Sequence, residues 1–363
     1  MTIENITQNS TQTVSKTSLQ SPKIGSINTL RFLAAAFVVV YHYIFSFYYR
    51  DIAYVDIPSI RPLVQYGYLG VDLFFIISGF VISLSAEGRN AYGFFKSRIG
   101  RLYPVFWICA IITSLFLFFG GYLINSDLSW PRFLASITMI PDFFNTDPLD
   151  GTYWTLFIEM KFYLVIFILL LFKKFKDIEP LAILLSVVML FVPLVVDSEI
   201  TWIPNFIAGV IFYKIYIKGL TNWRIFALCN TLLASLIFTF RRIPYLSEGY
   251  GVPFNPTTIA IYMLSFYIVF LFISLNILKI PNNKYVNILG LLTYPVYLLH
   301  HQIGKILFTY ADIKNIPLYV SFISIIVFVF GLSFIVHKLF ERHGRIFLDK
   351  TLDKIIPSNL KRF

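Results

Sequence analysis

The chain is short of charge. Only 13% of its 363 residues are Asp, Glu, Lys or Arg, about half the usual share of a globular domain. It is also short of cysteine: Cys109 and Cys229 lie within apolar runs. They make no metal spacing and no disulfide framework, and they read as small buried hydrophobes. An internal repeat and a second, soluble domain are likewise missing. What is abundant is apolar: 57% of residues are hydrophobic, with 39 Phe and 23 Tyr. A soluble domain of this length could not cover so much apolar surface, and a disordered chain does not carry it. The remaining class is an all-α polytopic integral membrane protein.

Residues 1–23 are rich in Ser, Thr, Asn and Gln, without the apolar core and cleavage site of a signal peptide. We expect a disordered tail, in which Asn5-Ile6-Thr7 is an unused glycosylation sequon. Apolar runs long enough to cross a bilayer, roughly 17–25 residues, follow near 27–47, 66–85, 102–120, 153–172, 180–196, 202–218, 224–240, 258–278, 286–309 and 317–340. About ten transmembrane helices are therefore expected within a membrane domain over 24–340, followed by a basic tail over 341–363. The stretch from Trp130 to Phe144 is too short and Pro-broken to span, and reads as re-entrant or interfacial. The net charge of +11 is confined between the apolar runs. With the N-terminus placed in the cytoplasm, 21 basic residues fall inside and 7 outside. This asymmetry predicts both termini inside and removes nucleic acid as a partner. The loop from Gly121 to Thr152, with Asp127, Asp142, Asp147 and Asp150, then falls outside.

Ionisable residues within spans are costly and mark function. Arg31 and His42 are 11 residues apart in the first run. Three turns separate them, so they share a face about 16 Å apart. A snorkelling Arg and a hydrogen-bonded core His are the competing readings. Asp72 opens the second span among aromatics and glycines, where a helix-start partner is the alternative. Arg98 and Arg101, at i and i+3, share a face. Two planar forks suit phosphate, and so does simple anchoring to anionic lipid. Glu159 lies in the fourth span with Lys161 two residues on, and His300 and His301 lie in the ninth. Counting residues from the outer ends places His42, Asp72, Glu159 and His300 in one layer, roughly 8–14 Å deep. Arg31, Arg98 and Arg101 gather on the opposite side.

These residues sit in familiar strings. The run from Asn28 through Arg31 to His42 resembles the Arg-x10-His signature of the membrane acyltransferase-3 family. So do Gly70-Val71-Asp72-Leu73-Phe74-Phe75 with Ser78-Gly79-Phe80, and Arg98-x-x-Arg101-Leu102-Tyr103-Pro104. Trp154-Thr155-Leu156-x-x-Glu159-x-x-Phe162-Tyr163 and Tyr294-Pro295-Val296-Tyr297-Leu298-Leu299-His300 complete the ordered set. The resemblance implies a bacterial inner-membrane enzyme that moves an acyl group, usually acetyl from cytoplasmic acetyl-CoA, onto a hydroxyl of an extracytoplasmic or lipid-linked glycan. It also implies substrate contacts for Trp154, Tyr163 and His300. No hydrolase-like extension follows the last span, which reads as the stand-alone form.

The chemistry so expected needs a base for the sugar hydroxyl, and His serves near neutral pH. His42 is the expected base, with Glu159 or Asp72 orienting it; an acyl-His42 intermediate is the alternative. Arg31, Arg98 and Arg101 are expected to hold the cofactor's phosphates. No metal is expected. The rival readings are a secondary transporter or flippase using the same polar residues as a path, and a non-catalytic membrane subunit.

Overall fold

The computed structural model describes residues 24–50, 52, 57–126, 128–192, 199–358 and 360–362, and no strand occurs among them. The expected disordered tail, its sequon and Asp127 lie outside the described residues. The first helix, α1, covers Gly25–Val40 and continues through a π turn, Tyr41–Ser46, into Phe47–Tyr49. It is followed by α2, Gly70–Ala86, and α3, Ala91–Gly120. The connection beyond carries the short α4, Trp130–Ser136. Then come α5, Trp154–Leu171, α6, Ile178–Phe191, α7, Ile203–Lys218, and α8, Asn222–Arg241. The last four are α9, Pro256–Ser274, α10, Lys284–Ile313, α11, Leu318–Val336, and α12, Arg342–Ile355.

Each of the ten expected runs carries a helix, and eight helical stretches among the described residues are long and apolar enough to cross a membrane. The other two fall short for different reasons. The α6 helix has 14 residues. The α10 helix has 30, but its middle is polar, with Thr293, His300, His301, Gln302 and Lys305. Its interior explains the polarity: His300 is 0% exposed and Gln302 5%, and α10 packs against α1, α3 and α11. A helix surrounded by others carries polar groups that protein, rather than lipid, must satisfy.

Local signals set the ends. Asn90 Oδ1 accepts from the Gly93 N–H at the start of α3, and Asn283 Oδ1 from Val286 at the start of α10. These are N-caps that satisfy donors left over by the helix. Gly79 of α2 faces Gly209 of α7, and a Cβ on either would strike the other helix's backbone. Small residues let membrane helices approach this closely. The Trp130–Phe144 stretch is a short helix and a 3-10 turn that do not span. Tyr103 and Trp107 of α3 donate to its Thr138 and Ile137 carbonyls, each at 3.0 Å. Its Trp130 and Phe143 side chains stand exposed, as interfacial anchors do. Cys109 is buried as expected, whereas Cys229 is exposed on α8. An apolar run in a membrane helix leaves one side to lipid, so apolarity alone does not place a residue in the protein core.

Candidate functional site

The π turn in the first helix begins at Tyr41, beside His42. Such turns recur at functional sites because they re-aim side chains within an otherwise regular helix. Here His42 Nδ1 lies 3.0 Å from Nε2 of His300 on α10. His300 Nδ1 faces two backbone carbonyls, Tyr297 at 2.8 Å and Val296 at 3.2 Å. Carbonyl oxygens only accept, so Nδ1 of the neutral His300 ring carries the hydrogen and its Nε2 is a lone pair. His42 therefore donates from Nδ1, and its Nε2 is left as the free lone pair. Tyr43 Oη donates to the His300 carbonyl at 2.9 Å and fixes the same stretch of α10.

His301 also packs on His42, with ring centroids 4.8 Å apart and ring planes 67° to one another. His301 Nδ1 is 3.2 Å from Oδ1 of Asp150. Asp150 is 0% exposed although it lies in the connection between α4 and α5. Its oxygens accept from Thr152 N and Oγ1 and from Gln302 N, each at 2.8 Å. Burial alone would raise its carboxyl pKa. The His301 imidazole and the Thr152 N–H outweigh that and hold it below the usual carboxylate range. Asp150 and His301 were missed as site residues by sequence reasoning. His301 was visible beside His300. Asp150 carried no such signal, because an acid in a long polar loop looks solvated until the loop is seen to fold inward.

A second assembly surrounds a cavity of about 750 Å³, open mouth included, walled by α1, α2, α3, α5 and α10. Arg31 and Arg101 line it together with Glu159 and Tyr163. Glu159 Oε1 accepts from Tyr163 Oη at 2.7 Å and from Ser78 Oγ at 3.2 Å. Lys161 sits instead over the Phe157 ring, 4.1 Å away. Arg31 and Arg101 make no hydrogen bond or ion pair among the described residues. The cavity thus carries two guanidinium groups against one carboxylate, an arrangement that favours an anionic occupant. Its lining also includes Thr155 and Tyr297, bonded through their hydroxyls at 3.0 Å. The Tyr297 ring stands 5.7 Å from that of His300, so the cavity and the histidine pair adjoin.

The structure divides the expected layer of four. His42 and His300 meet, and the two carboxylates do not join them. Glu159 lies with the arginines because the chain before α5 folds inward: Asp150, Thr152 and Tyr153 are buried, so counting from Trp154 underestimates depth. Asp72 lies elsewhere, accepting from Asn205 Nδ2 at 2.9 Å and from Arg242 at 3.3 Å. This is a structural network, which Ser235 extends by bonding to Asn205. Arg98 is buried outside the cavity wall, its guanidinium 6.0 Å from the rings of Phe94 and Tyr163. Trp154 packs on Trp202 at 4.5 Å and on the cavity-lining Phe75 at 6.3 Å, and does not itself line the cavity. Of the three residues expected to touch substrate, Tyr163 lines the cavity and His300 adjoins it.

Comparison with known proteins identifies the class. The acyltransferase-3 profile, an acyltransferase domain, matches residues 24–338, and the chain belongs to that family. Among its relatives, the peptidoglycan O-acetyltransferase OatA of Listeria monocytogenes serovar 1/2a is 25% identical over 241 residues, 61% of this chain and 35% of that protein. The O-acetyltransferase OatA of Staphylococcus aureus (strain NCTC 8325) is 28% identical over 311 residues, 72% of this chain and 50% of that one. The exopolysaccharide production protein ExoZ of Rhizobium meliloti is 32% identical over 108 residues, 27% and 33% of the two chains. The chain spans half or less of the length of these relatives. No solved structure matches it.

Proposed function

We propose that this protein is a membrane O-acyltransferase that moves an acyl group, acetyl foremost, from an acyl-CoA to a hydroxyl of an extracytoplasmic or lipid-linked glycan. One observation carries the reading: two arginines without a partner among the described residues line a cavity that adjoins, through Tyr297, the His300–His42 pair, in which His42 Nε2 is the free lone pair. The relatives, two O-acetyltransferases and an exopolysaccharide production protein, support it.

In this mechanism Arg31 and Arg101 hold the phosphates of the donor, and its thioester arm runs past Tyr297 toward His42. His42 Nε2 takes the proton of the acceptor hydroxyl as the oxygen attacks the thioester carbonyl carbon. The C–S bond breaks, its electron pair leaves on sulfur, and the imidazolium returns the proton to give the free thiol. His300 keeps His42 in the required tautomer throughout. Asp150, through His301, offsets the positive charge that develops on His42. Glu159 positions Tyr163 and Ser78 at the donor end. The protein would lie in the bacterial inner membrane with both termini in the cytoplasm, which puts the arginines on the donor's side.

The test is transfer by purified protein in phospholipid vesicles, with radiolabelled acetyl-CoA and a hydroxyl-bearing glycan. Label should move to the glycan and should not do so with His42→Ala. Glycan that crosses the vesicle membrane unlabelled would establish transport instead and overturn the reading.

A further inference from the structure

Beyond His42 toward the expected outer face lie two cations that the mechanism does not use. Lys305 follows His301 by four residues on α10, so it sits on the same face one turn further out. Arg50 follows His42 by eight residues, two turns on through the wide π turn. Both histidines thus have a cation above them on the same helix face. Neither cation has a carboxylate or hydrogen-bond partner among the described residues. The Lys305 side chain is half-buried and Arg50 is exposed. Arg50 is held in place from below: its guanidinium lies 5.0 Å from the centre of the Tyr250 ring. Tyr250 is itself fixed by Tyr41 Oη at 2.8 Å and Ser46 Oγ at 3.2 Å. Thr309 Oγ1 donates to the Ile52 carbonyl at 3.1 Å and ties α10 to the backbone just past Arg50. That bond and the 4.8 Å approach of the His42 and His301 rings bring together the two helix faces that carry the cations. The nearby carboxylate, Asp150, is already engaged by Thr152, Gln302 and His301.

Two unpaired cations on the outer side of one histidine cluster favour a negatively charged occupant there. We propose that Arg50 and Lys305 form a subsite for a negatively charged group of the acceptor glycan, a carboxylate or phosphate borne by the sugar. Held there, the sugar presents a hydroxyl downward to His42 Nε2. This rests on the reading of His42 as the base that meets the acceptor. It adds that the acceptor is anionic, which the donor cavity does not require.

Equilibrium binding tests it without relying on turnover. A uronate-bearing oligosaccharide and its carboxyl-reduced twin are titrated against purified protein in phosphatidylcholine vesicles. The wild type should bind the uronate form roughly tenfold tighter, the value of about one charge-assisted contact. Arg50→Gln and Lys305→Gln should each remove most of that preference and leave affinity for the reduced form in place. Arg50 is exposed and Lys305 half-buried, and unchanged acetyl-CoA binding would confirm that the variants are folded. Equal affinity for the two sugars, or binding of neither, overturns the proposal. A third arm adds phosphatidylglycerol: if that lipid abolishes the uronate preference, the cations belong to headgroups and the proposal falls. A uronate preference without any acetyl transfer would instead sink the acyltransfer reading and leave the subsite standing.

Discussion

His42 and His300 stand 3.0 Å apart, nitrogen to nitrogen, although 258 residues separate them in the chain. The bond has a direction, because the Tyr297 carbonyl takes the His300 Nδ1 hydrogen. Removing the acceptor should therefore damage His42 without touching substrate. His300→Ala is expected to lower kcat for acetyl transfer by roughly tenfold to a hundredfold, as His42 loses its fixed tautomer, while KM for the donor stays put. His300→Gln, whose amide oxygen can still accept, should recover part of the loss. An unchanged kcat in His300→Ala would show that the bond does not orient the base.

Asp150 links the site to stability. Its oxygens accept from two backbone N–H groups, and Asn cannot replace both acceptors. Asp150→Asn should cost about 1–3 kcal/mol. The sign of its pH dependence follows from a carboxyl held below its ordinary range. Such a group stabilises the fold above the unfolded pKa, about 3.9, and the contribution is lost as pH falls through the lower folded value. Thermal unfolding in detergent should thus show the wild type ahead at neutral pH and the gap closing below about pH 4. A gap of constant size from pH 7 to pH 3 would contradict the ionised, bonded Asp150.

How much of this was legible in the sequence depends on what each residue advertises. The helices were legible because ten apolar runs are separated by polar loops that hold nearly all of the charge. The pairing of His42 with His300 was half-legible: each stood out as an ionisable group in a span, and similar depth suggested that they meet. Glu159 was placed too far from the arginines because depth was counted from a helix end assumed to lie at the surface. Asp72 was expected beside His42, and the structure instead bonds it to residues of other helices. A buried carboxylate needs partners, and its partners, Asn205 and Arg242, lie on a helix and at a helix end over 130 residues away, with no spacing to betray them.

The approach of α2 and α7 makes a cleaner stability test. Gly79→Ala or Gly209→Ala should push the helices apart, because the new methyl meets backbone rather than a movable side chain. Overpacking of this kind typically costs 1–3 kcal/mol. Gly249→Ala, where nothing lies within 4 Å of an added Cβ, is the control and should melt like the wild type. Equal melting of all three variants would mean that the two glycines do not set the approach.

Charge asymmetry makes a topological prediction. Reporter fusions after Lys23, between Arg89 and Lys96, and after Arg362 should all report cytoplasm, because basic residues concentrate there. A periplasmic signal at any one of them would reverse the assignment of donor and acceptor sides.

The arginines separate contact from support. Arg31 and Arg101 line the cavity with no hydrogen-bond or ion-pair partner among the described residues, whereas Arg98 is buried beside Phe94 and Tyr163. If the cavity holds phosphate by paired forks, Lys is a poor substitute, since a point charge loses the bidentate geometry. Arg31→Lys and Arg101→Lys should each weaken acetyl-CoA binding by roughly tenfold or more, the value of a charge-assisted contact, with normal insertion and melting. Arg98→Lys should behave differently. It swaps a planar, buried cation beside two rings for a narrow one, so it should lower the melting temperature and change donor affinity less than Arg101→Lys does. If all three substitutions weaken binding equally, Arg98 reaches the donor and the cavity extends past Tyr163. If none does, the positive charge at this end directs insertion alone, and the donor site lies elsewhere.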